Sequence, residues 1–200
     1  IGDVFATLRR AELAIRRDAT LGTIMETLAA IHGDRRLVDE GPDGLCLTYR
    51  QAAKRVARWA GGIARRTVPG DRVVIATPNS YEQLLLCLAA SRAGAIPVPL
   101  NAAMRDDEVV HVVADSGASL VIRDAHDVDG FDPLTEAVAA STGDIAALFY
   151  TSGTTGKPKG AALTHGALVG TVTAAALWPS RLHRDEAVVS LPIAHIMGFI

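Results

Sequence analysis

The residues best suited to do chemistry lie in one run, Thr151-Ser152-Gly153-Thr154-Thr155-Gly156-Lys157-Pro158-Lys159-Gly160, which holds four hydroxyls, three glycines and two lysines. The chain otherwise prefers arginine: of its 20 basic residues 17 are Arg and three are Lys, and two of those three sit here. Glycines let a backbone approach a ligand and point successive N–H groups into one concavity. Hydroxyls donate to anionic oxygens or ligate a metal, and lysine is a compact point charge on phosphate. The ligand that suits this content is a polyphosphate. The run is not the ordinary P-loop, which needs a glycine where Thr151 stands and a Ser or Thr where Pro158 stands. Pro158 lacks a backbone N–H and resists a helix interior. The expectation is a turn between a strand over 145–150 and a short returning strand over 161–163.

His195 lies just past the end of an apolar strand expected over 187–191, the edge where open α/β sheets place ligands. The other histidines, His32, His111, His126, His165 and His183, show no metal-binding spacing and receive no role. Cys46 and Cys87 sit in apolar contexts without C-x-x-C spacing and read as core thiols in a reducing compartment. Asp124, Asp127, Asp129 and Asp132 lack the fixed spacing and closing glutamate of a calcium loop. They read as part of a surface connector, with a short helix near 134–140.

The elements that must position these residues alternate between helix and strand. A helix follows Thr20, with Leu21, Ile24, Met25, Leu28 and Ile31 on one face and Gly33 as its stop. Two short strands over 36–39 and 45–48 flank a turn. Thr48 and Gln51 have capping-box spacing ahead of a helix to about residue 66. That helix turns Ala52, Val56, Trp59, Ala60 and Ile63 inward and carries a basic outer side read as a solvated face. Ser80 and Gln83 repeat the capping spacing before a helix over 81–93 that is apolar nearly all round. Strands are expected over 72–76, 96–100 and 119–123, and helices over 105–115 and 165–177. The class is α/β, with a mainly parallel sheet and helices on both faces.

Composition narrows the function further. The chain has 200 residues, 49% of them hydrophobic, a net charge of −2 and 4% aromatics. Neither the basic footprint nor the stacking platform of a nucleic-acid binder is present. The longest apolar runs are too short to span a bilayer. A cytoplasmic location is expected.

The loop from Tyr150 to Gly160 resembles the signature phosphate loop of the adenylate-forming superfamily, which includes acyl- and aryl-CoA synthetases and peptide-synthetase adenylation domains. Leu191-Pro192-x-x-His195-x-x-Gly198 looks like the acyl-CoA synthetase form of the family's next motif. Weaker matches are Leu47-Thr48-Tyr49, Pro69-Gly70-Asp71-Arg72-Val73, and Gly94-Ala95-x-Pro97-Val98-Pro99-Leu100-Asn101. The resemblance implies a truncated N-terminal portion of that fold. Residues 1–19 would be an extension, 20–144 a first α/β subdomain, and 145–200 the phosphate-loop hairpin and the start of a second subdomain. It implies a reaction of a small-molecule carboxylic acid with ATP to give an acyl-adenylate and pyrophosphate, followed by transfer to coenzyme A.

By the same resemblance Thr151, Ser152, Gly153, Thr154, Thr155, Gly156, Lys157, Lys159 and Gly160 hold the nucleotide phosphates, with Lys157 ranked below Lys159. Thr151 is the hydroxyl nearest Mg2+, and His195 borders the acyl and adenylate pocket. Ala194 stands where the family often has a large aromatic. The family's later motifs do not occur before Ile200, so the piece is not expected to complete the reaction alone. Two alternatives stay open: a non-catalytic nucleotide-binding or interaction module, and an enzyme that loads a carrier-protein thiol. Self-association as a homodimer also stays open.

Overall fold

The computed structural model describes residues 19–42, 44–101, 103–151, 157–177 and 194. Its elements follow as α1 (Leu21–His32), β1 (Arg36–Asp39), β2 (Cys46–Thr48), α2 (Tyr49–Ala64), β3 (Arg72–Ile75), α3 (Tyr81–Arg92), β4 (Ile96–Pro99), α4 (Asp106–Ser116), β5 (Leu120–Ile122), a 3-10 turn (Ala125–Val128), β6 (Ile145–Thr151), β7 (Lys159–Thr164) and α5 (His165–Leu177). The N-terminal extension and the strand expected over 187–191 lie outside the described residues, apart from Ala19.

Strands β4, β3 and β5 pair in that order, all parallel. Side chains of a strand alternate between faces, and here both faces are covered. Val73 and Ile75 pack into a core with Met25 of α1, Val56, Trp59 and Ile63 of α2, and Leu85 and Leu86 of α3. Val74 and Val98 face the other way, against Val109 and Val112 of α4. Burial on both faces explains why these strands read as continuous apolar runs. The α/β class and the parallel sheet with helices on both faces stand. Two antiparallel hairpins, β1–β2 and β6–β7, are added to them.

Local signals explain several boundaries. The Thr48 hydroxyl accepts from the Gln51 N–H at 3.2 Å while the Gln51 side chain accepts from the Thr48 N–H at 2.9 Å, a complete capping box. Gly117 ends α4 in the left-handed region, at φ 61° and ψ 38°, a conformation that costs a β-carbon.

Three expectations fail. The Ser80–Gln83 capping box does not form. The Tyr81 N–H that opens α3 donates instead to the Glu40 carboxylate, 2.8 Å away on the β1–β2 turn. Gln83 is fully buried, and its amide donates to the main-chain carbonyls of Ile75, Thr77 and Leu100 at 3.4, 3.1 and 2.9 Å. Its role is to tie together the chain leaving β3 and the chain leaving β4.

The helix near 134–140 is also absent. Residues 129–144 run without regular structure as a strap across α2 and α3, because their backbone finds partners elsewhere. The Leu134 N–H donates to the Ala57 carbonyl at 2.8 Å and the Val138 N–H to the Arg92 carbonyl at 2.9 Å. Arg92, only 5% exposed, reaches back to the Leu134 and Thr135 carbonyls at 3.0 and 2.6 Å. It also meets the exposed Glu26 carboxylate at 3.1 Å. Finally, Cys46 is exposed and only Cys87 is a core thiol, because Leu47 is the residue of β2 that turns inward.

Part of the basic side of α2, and Arg66 just beyond it, finds partners within the chain. Arg58 faces Asp129 at 3.8 Å, Arg66 donates to the Asp127 carbonyl at 3.1 Å and Arg50 pairs with Asp34 at 3.0 Å. The acidic connector thus runs beside the basic helix, and such exposed pairs contribute little individually.

Candidate functional site

β6 carries Ala146, Ala147 and Phe149 into the first core and Leu148 and Tyr150 toward the second, and it lies alongside β4. It pairs with β7 so that Tyr150 stands opposite Gly160 and Thr151 opposite Lys159. The strands on either side of the glycine-rich run are thus paired antiparallel, and the chain at Pro158 leads into a strand rather than a helix. β7 is longer than expected, beginning at Lys159.

Thr151, Lys157, Lys159 and Gly160 are all exposed. Among the described residues no carboxylate forms an ion pair with Lys157 or Lys159. A hydroxyl and an ammonium on facing strands form a pair suited to an anionic oxygen. Ser152, Gly153, Thr154, Thr155, Gly156 and His195 lie outside the described residues.

Gly160 is needed for close approach. A β-carbon there would sit 3.0–3.1 Å from the ring and hydroxyl of Tyr150, so the aromatic ring occupies the space a side chain would take. The Tyr150 hydroxyl donates to the Asp115 carboxylate at 2.7 Å. Burial, and then the adjacent Asp115 carboxylate, push the Tyr150 phenol up to about 12, so it stays a neutral donor. On the other stem, His111 Nε2 lies 3.1 Å from the Pro158 carbonyl. A carbonyl only accepts, so this nitrogen carries the hydrogen. His111 and Asp115 are four residues apart and share one face of α4. Sequence reasoning assigned neither of them; the available signal was their i,i+4 spacing.

The far end of the hairpin is tied to α1. Thr164 caps α5 by accepting from the Ala167 N–H at 3.2 Å. His165, 3% exposed, accepts the Leu21 N–H on Nδ1 at 3.2 Å. Burial lowers its pKa, against a smaller opposing pull from Asp144.

Among the described residues no group of three or more His, Cys, Asp or Glu side chains is placed to hold a metal ion. Magnesium does not need one: it keeps several waters and binds one or two protein oxygens together with substrate phosphates. The exposed Thr151 hydroxyl fits that role as a hard oxygen donor. No helix among the described residues is long and apolar enough to cross a membrane.

The chain has relatives among known proteins. The model of the AMP-binding enzyme family matches residues 25–143 and 124–200. The chain is 35% identical to a feruloyl-CoA synthase from Amycolatopsis sp, over 76% of this chain and 35% of that protein. It is 32% identical to the long-chain-fatty-acid–CoA ligase FadD13 of Mycobacterium tuberculosis, over 75% of this chain and 36% of that one. The structure is similar to o-succinylbenzoate CoA synthetase (MenE) from Bacillus subtilis in complex with the acyl-adenylate intermediate OSB-AMP. That match has a TM-score of 0.76 at 25% identity and covers 88% of this chain and 50% of that one. The chain thus spans about a third of the length of the curated CoA ligases it matches. With a family match running across nearly all of its described elements, the chain belongs to the AMP-binding enzymes, the adenylate-forming superfamily.

Proposed function

We propose that the protein containing this chain is an ATP-dependent acid–thiol ligase of the acyl-CoA synthetase type. A carboxylate oxygen of the acid attacks the α-phosphorus of ATP. The bond from that phosphorus to the bridging oxygen breaks, and pyrophosphate leaves with the electron pair. The thiol of coenzyme A then attacks the acyl carbonyl, AMP departs, and the thiol proton passes to solvent.

The task of the hairpin is to hold charge on the departing pyrophosphate, since such chemistry depends on positioning and neutralisation. Lys159 supplies an ammonium from one stem and Thr151 a hydroxyl from the other. The hydroxyls of Ser152, Thr154 and Thr155 and the backbone N–H groups of Gly153 and Gly156 complete the donor set, with Lys157 at its edge. Mg2+, when bound beside Thr151, adds neutralisation of the phosphates. His195 borders the acyl group. The observation that carries this reading is the register that sets Thr151 opposite Lys159, in a chain whose relatives include several CoA ligases.

The test is ATP–pyrophosphate exchange in the intact protein carrying Thr154→Ala, Thr155→Ala and Lys159→Ala together. Loss of a single oxyanion donor costs about 10²-fold or more, so exchange should fall at least that far. Undiminished exchange would overturn the proposal. A carrier-protein thiol is the second reading, supported by 32% identity to a probable non-canonical nonribosomal peptide synthetase (CymA) of Salinispora arenicola. Thioester formation with free coenzyme A, compared with a pantetheinylated carrier, separates the two acceptors.

A further inference from the structure

We infer that α4 is the positioning element of the phosphate loop, and that His111 and Asp115 are its two contacts. This rests on the proposed role of the hairpin and concerns residues that role does not use. The two side chains lie one helical turn apart on α4 and touch opposite stems. Asp115 receives the Tyr150 hydroxyl at 2.7 Å, one residue before Thr151. His111 meets the Pro158 carbonyl at 3.1 Å, one residue before Lys159. Thr151 and Lys159 are themselves cross-strand partners, so both phosphate-facing residues hang directly from the two clamped positions.

The helix that makes these contacts is fixed in turn. Val109 and Val112 pack on Val74 and Val98 of the parallel sheet. Arg72 of β3 donates to the Ser116 and Gly117 carbonyls at 2.8 and 3.1 Å, anchoring the C-terminal end of α4. The position of the loop stems is thereby referred to the central sheet rather than to the two-stranded hairpin alone. A two-stranded ladder by itself is marginal in water; this one leans on β4 along β6, and its register shifts between Ile145 and Ala147 at the end away from the loop. The clamp adds two fixed points at the loop end of the ladder, beside Thr151 and Lys159.

The contacts are polar and partly exposed, so removing them leaves the apolar packing of α4 intact. Their loss should therefore act on the geometry of Thr151 and Lys159 more than on folding. A displacement near 1 Å of a positioning group can cost up to about 10²-fold; with one of two contacts removed, about tenfold is expected.

The experiment uses the intact protein with His111→Leu, His111→Gln, Tyr150→Phe and Lys159→Ala, assayed by ATP–pyrophosphate exchange and thermal melting. His111→Leu and Tyr150→Phe should each lower kcat/KM for ATP about tenfold, with KM for the acid and the melting temperature nearly unchanged. His111→Gln keeps an N–H for the Pro158 carbonyl and should restore most of the loss. Wild-type ATP kinetics in both His111→Leu and Tyr150→Phe, alongside impaired Lys159→Ala, would overturn the clamp and leave the hairpin's role standing. Equal losses for ATP and acid, together with a lowered melting temperature, would also overturn it, as the signature of a purely structural contact. Undiminished exchange in Lys159→Ala would bring down the proposed role of the hairpin itself, and the clamp with it.

Discussion

Replacing Gly61 by alanine sets two physical effects against each other with opposite signs. Gly61 lies in the fourth turn of α2, and Gly→Ala within a helix ordinarily stabilises it by about 0.5–1 kcal/mol. Here a β-carbon would land on the Asp132 carbonyl oxygen, 3.1 Å from that carbonyl's carbon and 3.4 Å from the Leu134 nitrogen. The strap must retreat. It is held by the 2.8 Å bond from Leu134 to Ala57 and by the Arg92 guanidinium on the Leu134 and Thr135 carbonyls. Overpacking of this kind costs about 1–3 kcal/mol, and stranding a buried hydrogen-bonding group adds about 1–3 kcal/mol. After the helix-propensity gain is subtracted, Gly61→Ala should destabilise the protein by about 1–5 kcal/mol. Urea unfolding measures the sum. Hydrogen exchange at the Leu134 and Val138 amides locates it, and both should exchange faster. A variant equal to or more stable than the parent would refute the close approach of strap and helix.

Other outcomes follow from the same contacts. Glu40→Ala removes the carboxylate that receives the first N–H of α3 and should cost about 1 kcal/mol of stability in urea unfolding. A thiol reagent should label Cys46 in the native state and Cys87 only on unfolding, since burial pushes the Cys87 thiol up; early modification of Cys87 would contradict its placement. His165 has a lowered pKa in the folded state, so the unfolded chain binds its proton more readily. The stability His165 contributes is fully present above about 6.5, its unfolded value. It is lost as pH falls from there through the depressed folded value, and His165→Gln should flatten that part of the stability–pH profile. Residues 1–200 alone should bind ATP more weakly than micromolar, as read by calorimetry.

The alternation of helices and strands was legible because each buried strand and each amphipathic helix writes its own period into nearby residues. The hairpin was legible for a similar reason: Pro158 forbids a helix, and the apolar run before Thr151 demands a strand. What was not legible depends on partners distant in the chain. Ser80 and Gln83 carry a capping spacing, yet the partners of Gln83 are the carbonyls of Ile75, Thr77 and Leu100, which only the folded sheet brings together. His111 looks solitary until Pro158 is set against it. Gly61 and Gly62 drew no notice in the sequence, and they are the surface on which 128–134 lies.

The hydrogen bonds that hold the strap run through its main chain. The amides of Leu134 and Val138 and the carbonyls of Leu134 and Thr135 make the contacts, while the side chains of Thr135, Glu136, Ala139 and Ala140 point to solvent. Positions 135, 136, 139 and 140 should therefore accept wide side-chain variation without loss of stability, whereas Leu134 packs on the first core and Val138 lies against Gly94. Proline at position 134 or 138 deletes the hydrogen that each of those two bonds requires.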